Sequence, residues 1–210
     1  VSHPRTPVGY LDKEEPATRL DRQMAFLVEA DRLKHVLRAT TLVDGSRPEN
    51  SGEHSWHLAL YAMVLADQAP EGVRIDRVIR MLILHDLVEI DAGDVPFHDT
   101  AAHAAQAARE QLAAERIFGM LPDAQAAEFR NLWDEFEAGQ SADARFAKAV
   151  DRFQPLLHNA ATGGGSWVEM QVTETQAAAR YRPPIERGSP VLWEEAARLV
   201  RQHFAGGADH

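Results

Sequence analysis

Apolar residues along this chain recur mostly at intervals of three and four, and strict alternation is scarce, so helices are expected to dominate. Between about Leu20 and Leu42, the residues Met24, Leu27, Val28, Leu33, Val36 and Leu37 follow that spacing, with Thr18 placed as a cap. One long amphipathic helix is predicted there. The turn-forming run Asp44-Gly45-Ser46-Arg47-Pro48-Glu49-Asn50-Ser51-Gly52 separates it from a second helix over about Glu53 to Gln68, which Pro70 and Gly72 end. Asp76 to Ile90 gives the third and most apolar helix, stopped near Gly93 and Pro96.

Beyond a loop around Phe97-His98-Asp99, the Ala-rich stretch Thr100 to Phe118 reads as a helix, and Pro122 opens another that runs to Gly139. Asp143 to Asn159 carries Phe146, Val150, Phe153, Leu156 and Leu157 and is expected to return to the core, with Pro155 kinking or shortening it. Gly163-Gly164-Gly165 reads as a joint, followed by a helix over about Val168 to Tyr181, a loop at Pro183-Pro184 and a last helix from about Pro190 to His203. The expected fold is therefore all-α: one compact helical bundle over 19–204, with 1–18 as an N-terminal extension and 205–210 as a flexible tail.

Composition narrows the chemistry. With 210 residues, 45% of them hydrophobic, the chain suffices for one large core. It contains no cysteine, so disulfides and thiolate ligands are excluded and any metal must be held by His, Asp or Glu. A formal charge of -10 argues against gripping a nucleic-acid polymer. A small phosphorylated substrate would need a local reversal of sign from a metal and a few arginines. Neither a leader pattern in Val1 to Tyr10 nor a bilayer-length apolar run is seen, so a cytoplasmic protein without membrane association is expected.

The sharpest feature is Met81-Leu82-Ile83-Leu84 running into His85-Asp86, with Glu89 one helical turn later. A buried carboxylate beside an imidazole is unfavourable unless something compensates both groups, and a divalent cation does. A lone His-Asp pair is more often a helix cap and an ion pair. Here Glu53-His54-Ser55 offers a second imidazole, Gly93-Asp94 a further carboxylate, and Lys148-x-x-Asp151 another on a core helix. Such a nitrogen and oxygen set suits Mn, Fe, Co, Ni or Zn with positions left for water and substrate. His85-Asp86-x-x-Glu89 lacks the second histidine of a zincin peptidase.

The order His54, His85-Asp86, Asp151 resembles the metal-binding signature of the HD-domain superfamily of phosphohydrolases. Within it the chain is similar to the small 5'-deoxynucleotidase branch of YfbR-type and HDDC-type enzymes. The segments that carry the likeness are Leu33-Lys34-His35-Val36-Leu37-Arg38, Arg47-Pro48-Glu49-Asn50-Ser51-Gly52-Glu53-His54-Ser55, His85 through Asp94, and Lys148-Ala149-Val150-Asp151. The resemblance implies one divalent transition metal (Mn, Co, Ni, Fe or Zn) on His54, His85, Asp86 and Asp151. It also implies Arg38 at the substrate phosphate, Glu89 and Asp94 as the catalytic carboxylates, and a homodimer.

The implied activity is phosphate release from (deoxy)nucleoside 5'-monophosphates. Alternatives are another HD chemistry, on a nucleoside triphosphate, a cyclic dinucleotide or a non-nucleotide phosphate, and a non-catalytic metal-binding sensor. Arg38, Glu89 and Asp94 argue against the sensor, since metal binding alone needs none of them. Relatives place a tryptophan beside the sugar shortly after the arginine, where this chain has Ala39-Thr40-Thr41. His57 competes with His54 as a ligand and is expected to pack or orient. His98 and His103 are expected at the surface rather than at a second metal. Arg47 and Lys148 are each placed either at substrate or in an ordinary ion pair.

Overall fold

The computed structural model describes residues 18–95 and 100–206. Most of the expected N-terminal extension (1–17), His98 and the loop around it, the side chain of His103 and residues 207–210 lie outside that range. The described residues open on α1 (Arg19–Ala30), closed by a capping box in which Thr18 Oγ1 accepts from the Asp21 amide and the Asp21 carboxylate accepts from the Thr18 amide.

The long first helix expected to Leu42 is not present. After α1 the chain tightens into a 3-10 turn, Asp31–His35, and then extends as β1 (Leu37–Thr41), which pairs antiparallel with β2 (Pro48–Asn50). Spacing alone misled here, because Leu33 and Val36 continue a helical interval while the β-branched Thr40 and Thr41 prefer a pleated backbone that the β2 partner satisfies. Leu27, at 57% exposure, and Leu37, at 62%, face outward instead of forming a buried stripe. The correction matters for function, because strand alternation now turns Arg38 and Thr40 inward. The otherwise helical domain carries this small hairpin on its side.

Asn50 caps α2 (Ser51–Val64) through a second capping box with Glu53, so that helix starts at Ser51 rather than Glu53. The third helix is also divided. α3 (Ile75–Leu84) narrows into a 3-10 turn, His85–Val88, before α4 (Glu89–Ala92) resumes and Gly93, at φ 75°, ends it. α5 (Thr100–Phe118) and α6 (Asp123–Ala138) follow, with Gly139 in the left-handed conformation behind α6.

α7 (Ala142–Ala161) is the axis of the core, packed against α2, α3, α6, α9 and α10. It runs through Pro155, whose ring nitrogen has no hydrogen for the carbonyl of Asp151. The glycine run leads to α8 (Ser166–Glu169), α9 (Glu174–Gly188) and α10 (Pro190–Gly206). The expected loop at Pro183-Pro184 is absent, since α9 continues through both prolines. Its buried Ala177, Tyr181, Ile185 and Gly188 lie one helical turn apart, and packing along that face offsets the two missing amide donors. Leu58, Met81, Leu82, Phe146, Val150 and Leu156 are fully enclosed. Each such side chain contributes roughly 1.5–3 kcal/mol of burial free energy.

Gly188 is where α9 meets α7 most closely, because a Cβ there would overlap the Arg145 carbonyl and the Ala149 methyl. Gly188→Ala is expected to destabilise the fold by about 1–3 kcal/mol through overpacking. Thermal unfolding checks this, and an unchanged midpoint would show that the two helices separate freely.

Candidate metal centre

The polar centre forms where four elements meet. α2 supplies His54, the 3-10 turn after α3 supplies His85 and Asp86, α7 supplies Asp151, and β1 supplies Arg38. The two histidines and two aspartates are buried, His54 fully, and the Arg38 side chain is 9% exposed. His54 Nε2 lies 3.1 Å from Asp151 Oδ1 and 4.0 Å from Asp86 Oδ2, while His85 Nε2 lies 2.9 Å from Asp86 Oδ1 and 3.7 Å from Asp151 Oδ1. Donor atoms of His54, His85 and Asp151 fall within 4.8 Å of one another, close enough to converge on one ion.

The surrounding structure fixes these rings. His85 Nδ1 sits 2.8 Å from the Leu82 carbonyl, which can only accept, so Nδ1 carries the hydrogen and Nε2 points into the centre. The Trp133 indole donates to the His85 carbonyl at 3.2 Å, and the Phe136 ring lies 4.9 Å from the imidazole. His54 turns its other nitrogen, Nδ1, toward Glu49 Oε2 at 3.3 Å, the kind of carboxylate support that orients a ligating histidine.

Arg38 Nη1 lies 3.0 Å from Asp86 Oδ2, 3.7 Å from Asp94 Oδ1 and 4.0 Å from Glu89 Oε1, and its Nε is 3.8 Å from Glu49 Oε2. Ser51 Oγ donates to Glu89 Oε2 at 2.6 Å. Arg152 lies 3.4 Å from Asp151 Oδ2. Glu49, Asp86, Glu89, Asp94 and Asp151 thus crowd around two guanidinium groups, and the excess is negative.

The titration behaviour records that excess. Burial pushes Glu89 well above the usual carboxylate range and Asp86 adds to the shift; Asp94 is raised by burial, against the pull of Arg38. Burial works against charge on His85, yet Asp86 and Asp151 overcome it and lift its pKa to about 10. His85 and Arg38 in turn draw Asp86 down to about 2 despite its burial. A field that holds a proton on His85 this firmly also favours a divalent cation in its place. The buried His85 Nε2 makes no hydrogen bond, and imidazole with carboxylate is a donor set suited to transition ions. The residues present therefore fit a metal.

Every residue picked from the sequence within the described range is brought to this centre: His54, His85, Asp86, Asp151, Arg38, Glu89 and Asp94. His57 is not; it lies on the next turn of α2 and faces Gln154. Arg47 is taken up by Glu53 at 2.7 Å, whereas Lys148, 4.4 Å over the Phe136 ring and 3.5 Å from Glu137, lines the site cleft. Sequence reasoning passed over Glu49 and Arg152 as functional groups. Arg152 directly follows Asp151, so adjacency to an assigned ligand was an available signal, whereas Glu49 carried none beyond its place in the segment leading to His54.

A helical bundle that gathers a His-Asp doublet, a second imidazole and a distant carboxylate at one buried point defines an HD-type domain. The chain belongs to the HD domain family, whose sequence model matches residues 30–193. It is 31% identical over 135 residues to the human 5'-deoxynucleotidase HDDC2, covering 64% of this chain and 65% of that protein. It thus spans slightly less than two thirds of that relative's length. A 5'-deoxynucleotidase of Yersinia pseudotuberculosis is 25% identical over 172 residues, 77% of this chain and 87% of that one. The crystal structure of a predicted metal-dependent phosphohydrolase from Magnetospirillum magnetotacticum superposes with a TM-score of 0.85 at 51% identity, over 90% of this chain and 97% of that one. Among the described residues no helix is long and apolar enough to cross a membrane.

The sign of the pH dependence follows from the raised groups. His85, with a pKa lifted from 6.5 to about 10, adds stability that is complete below 6.5 and lost as pH rises through 10. Glu89 and Asp94, both raised, lose theirs in the same direction. Chelator-treated protein is therefore expected to melt at lower temperature as pH increases across that window, and excess divalent ion should flatten the trend. A chelated protein with a level melting profile from neutral to alkaline pH would contradict the charge arrangement.

Proposed function

We propose that the chain is a metal-dependent phosphomonoesterase acting on nucleoside 5'-monophosphates, with His54, His85, Asp86 and Asp151 as metal ligands. The observation that carries this reading is Arg38. It lies among carboxylates beside the ligand set, where it offsets their charge and lines the cleft that a substrate would enter. Its guanidinium can hold two phosphate oxygens at once, and the neighbouring carboxylates keep it protonated at any working pH. When bound, a divalent ion would polarise a phosphoryl oxygen and lower the pKa of water.

Glu89 and Asp94 are assigned to proton movement, one at the attacking water and the other at the leaving oxygen. Burial raises both pKa values, Glu89 well above the usual carboxylate range, which is the direction that proton exchange by a carboxylate requires. Ser51 fixes one oxygen of Glu89 and leaves the other facing Arg38. The site cleft and an adjoining one share Arg38, Asp94, Val95 and Arg152. A phosphoryl group on Arg38 would leave its nucleoside the second cleft, whose walls include Ala39, Thr40, Pro155 and Tyr181. The names of the human and Yersinia relatives support the same substrate class. A homodimer and a cytoplasmic setting belong to this proposal as well. Phosphate release from a panel of nucleotides and sugar phosphates, each with Mg, Mn, Co, Ni and Zn, tests it; no release from any nucleoside monophosphate would refute it.

The division of roles is separable. Glu89→Ala is expected to keep its metal but lose roughly a hundredfold or more in turnover, the usual range for an acid-base group, whereas Asp86→Ala should empty the site. Metal content and rate measured on both variants decide this, and equal metal loss would make Glu89 a ligand.

At the sugar, Ala39 and Thr40 line the second cleft, about 40 Å³ as it stands, and no bulky aromatic follows Arg38 there. Trp56 is exposed and stacked on His57, and Trp167 packs against Tyr181 and Phe204, so neither supplies one at Arg38. The preference for deoxyribo over ribo 5'-monophosphates is therefore expected to stay within about tenfold, the discrimination of one modest contact. Matched kcat/KM values test this, and a preference of several hundredfold would require a sugar contact from another residue.

A further inference from the structure

Past the far ring edge of His54, a second group of ligating side chains converges. Gln154 Nε2 is 2.8 Å from Glu49 Oε1, 3.2 Å from His158 Nε2 and 3.5 Å from His57 Nδ1. Donor atoms of Glu49, His57 and His158 lie within 4.8 Å of one another, and none of these three residues belongs to the ligand set on the other side of His54. We propose that Glu49, His57 and His158 form a second metal site, for a divalent ion of the zinc class.

Hydrogen arithmetic carries the argument. His158 Nδ1 faces the Thr41 carbonyl at 3.2 Å, which can only accept, so that nitrogen holds the ring hydrogen and Nε2 presents a lone pair. His57 Nδ1 faces an amide N–H and also presents a lone pair. Together with the Glu49 carboxylate, three acceptors surround an amide nitrogen that has two hydrogens. On the same side chain, Gln154 Oε1 is buried with no hydrogen-bond partner in a residue of 0% exposure. As protein alone the cluster is thus unsatisfied at two places. A half-turn of the amide would bring Oε1 inward beside the other acceptors, and inward lone pairs gathered in this way call for positive charge, a cation or a proton, between them.

The donor chemistry selects the ion. Two imidazoles and a carboxylate match zinc and its neighbours, whereas calcium and magnesium call for oxygen ligands throughout. Zinc bonds of about 2.0–2.2 Å require the Gln154 amide, which now lies between the three donors, to draw back and the donors to close in around the ion. His57 is half-buried and can supply that movement, and it lines an apolar cleft with Leu60, Tyr61 and Phe153 that gives an entry path. His158 has its second nitrogen tied to a backbone carbonyl, the support that ligating histidines commonly show. Burial, the largest influence on both, holds His57 and His158 below the ordinary imidazole pKa, which keeps them neutral as ligands must be. An ion here would join β2, α2 and α7, and through Thr41 the strand that carries Arg38.

The test is zinc content of the full chain, stripped by chelator, reloaded with excess Zn2+ and desalted. Wild type is expected to retain one equivalent more than either His158→Leu or His57→Asn, and His85→Ala should keep that extra equivalent. Far-UV circular dichroism identifies a variant that has lost its fold. His57→Asn, at a half-buried position, carries the comparison where His158→Leu does not fold. Equal zinc in wild type and a folded variant overturns the proposal, as does its complete loss from a folded His85→Ala. Neither result bears on phosphatase activity, so this site and the proposed function can fail separately.

Discussion

Five carboxylates placed around two guanidinium groups in a water-poor interior form the constraint on which the rest of the structure depends. Each buried charge without a partner costs several kcal/mol, and attraction recovers that cost only where opposite charge sits at contact distance. Arg38, 3.0 Å from Asp86, and a cation or proton on His85 provide it. The excess negative charge is what makes the centre select positive ligands, and the surrounding apolar helices keep water from screening it.

Holding this centre sets demands on the fold that the helices meet in different ways. α7 is buried along most of its length, so Asp151 is fixed by the core itself. The tightened turn after α3 points His85 and Asp86 together into the centre, and the Trp133 indole grips the His85 carbonyl from α6. Arg38 needs another device. A helical continuation of α1 would have carried it past the centre, whereas the hairpin aims it inward and lets β2 bring Glu49 alongside.

Much of this was legible in the pattern of residues, and the misses share a cause. α2, α3, α7 and α10 were found because one face of each is buried against others, which imposes the three-four interval. The hairpin was missed because Leu33 and Val36 keep that interval by coincidence, while strand pairing is a long-range property that local spacing does not encode. The prolines of α9 misled for a related reason. Their local penalty is real, but packing against α7 exceeds it. At the site, the His-Asp doublet stood out because polar residues on an apolar run are costly. Glu49, Gln154 and His158 each sit alone in sequence and acquire meaning only when β2 and α7 meet.

Glu49 then becomes the residue that relates the two polar clusters. One of its oxygens faces Arg38 and His54, and the other accepts from Gln154 beside His57 and His158. A single carboxylate cannot give its full charge to both sides. Positive charge gathered near His158 draws on Glu49 and loosens its hold on Arg38, which then has more of its field to offer an incoming anion. Arg38 is also the group for which Asp86 and a phosphate would compete, so whatever occupies Asp86 more strongly releases the guanidinium. Both effects act through charge over contact distances, without any movement of the helices. A rigid bundle can therefore keep its arginine paired while empty and still present it to an anion when its carboxylates are otherwise engaged.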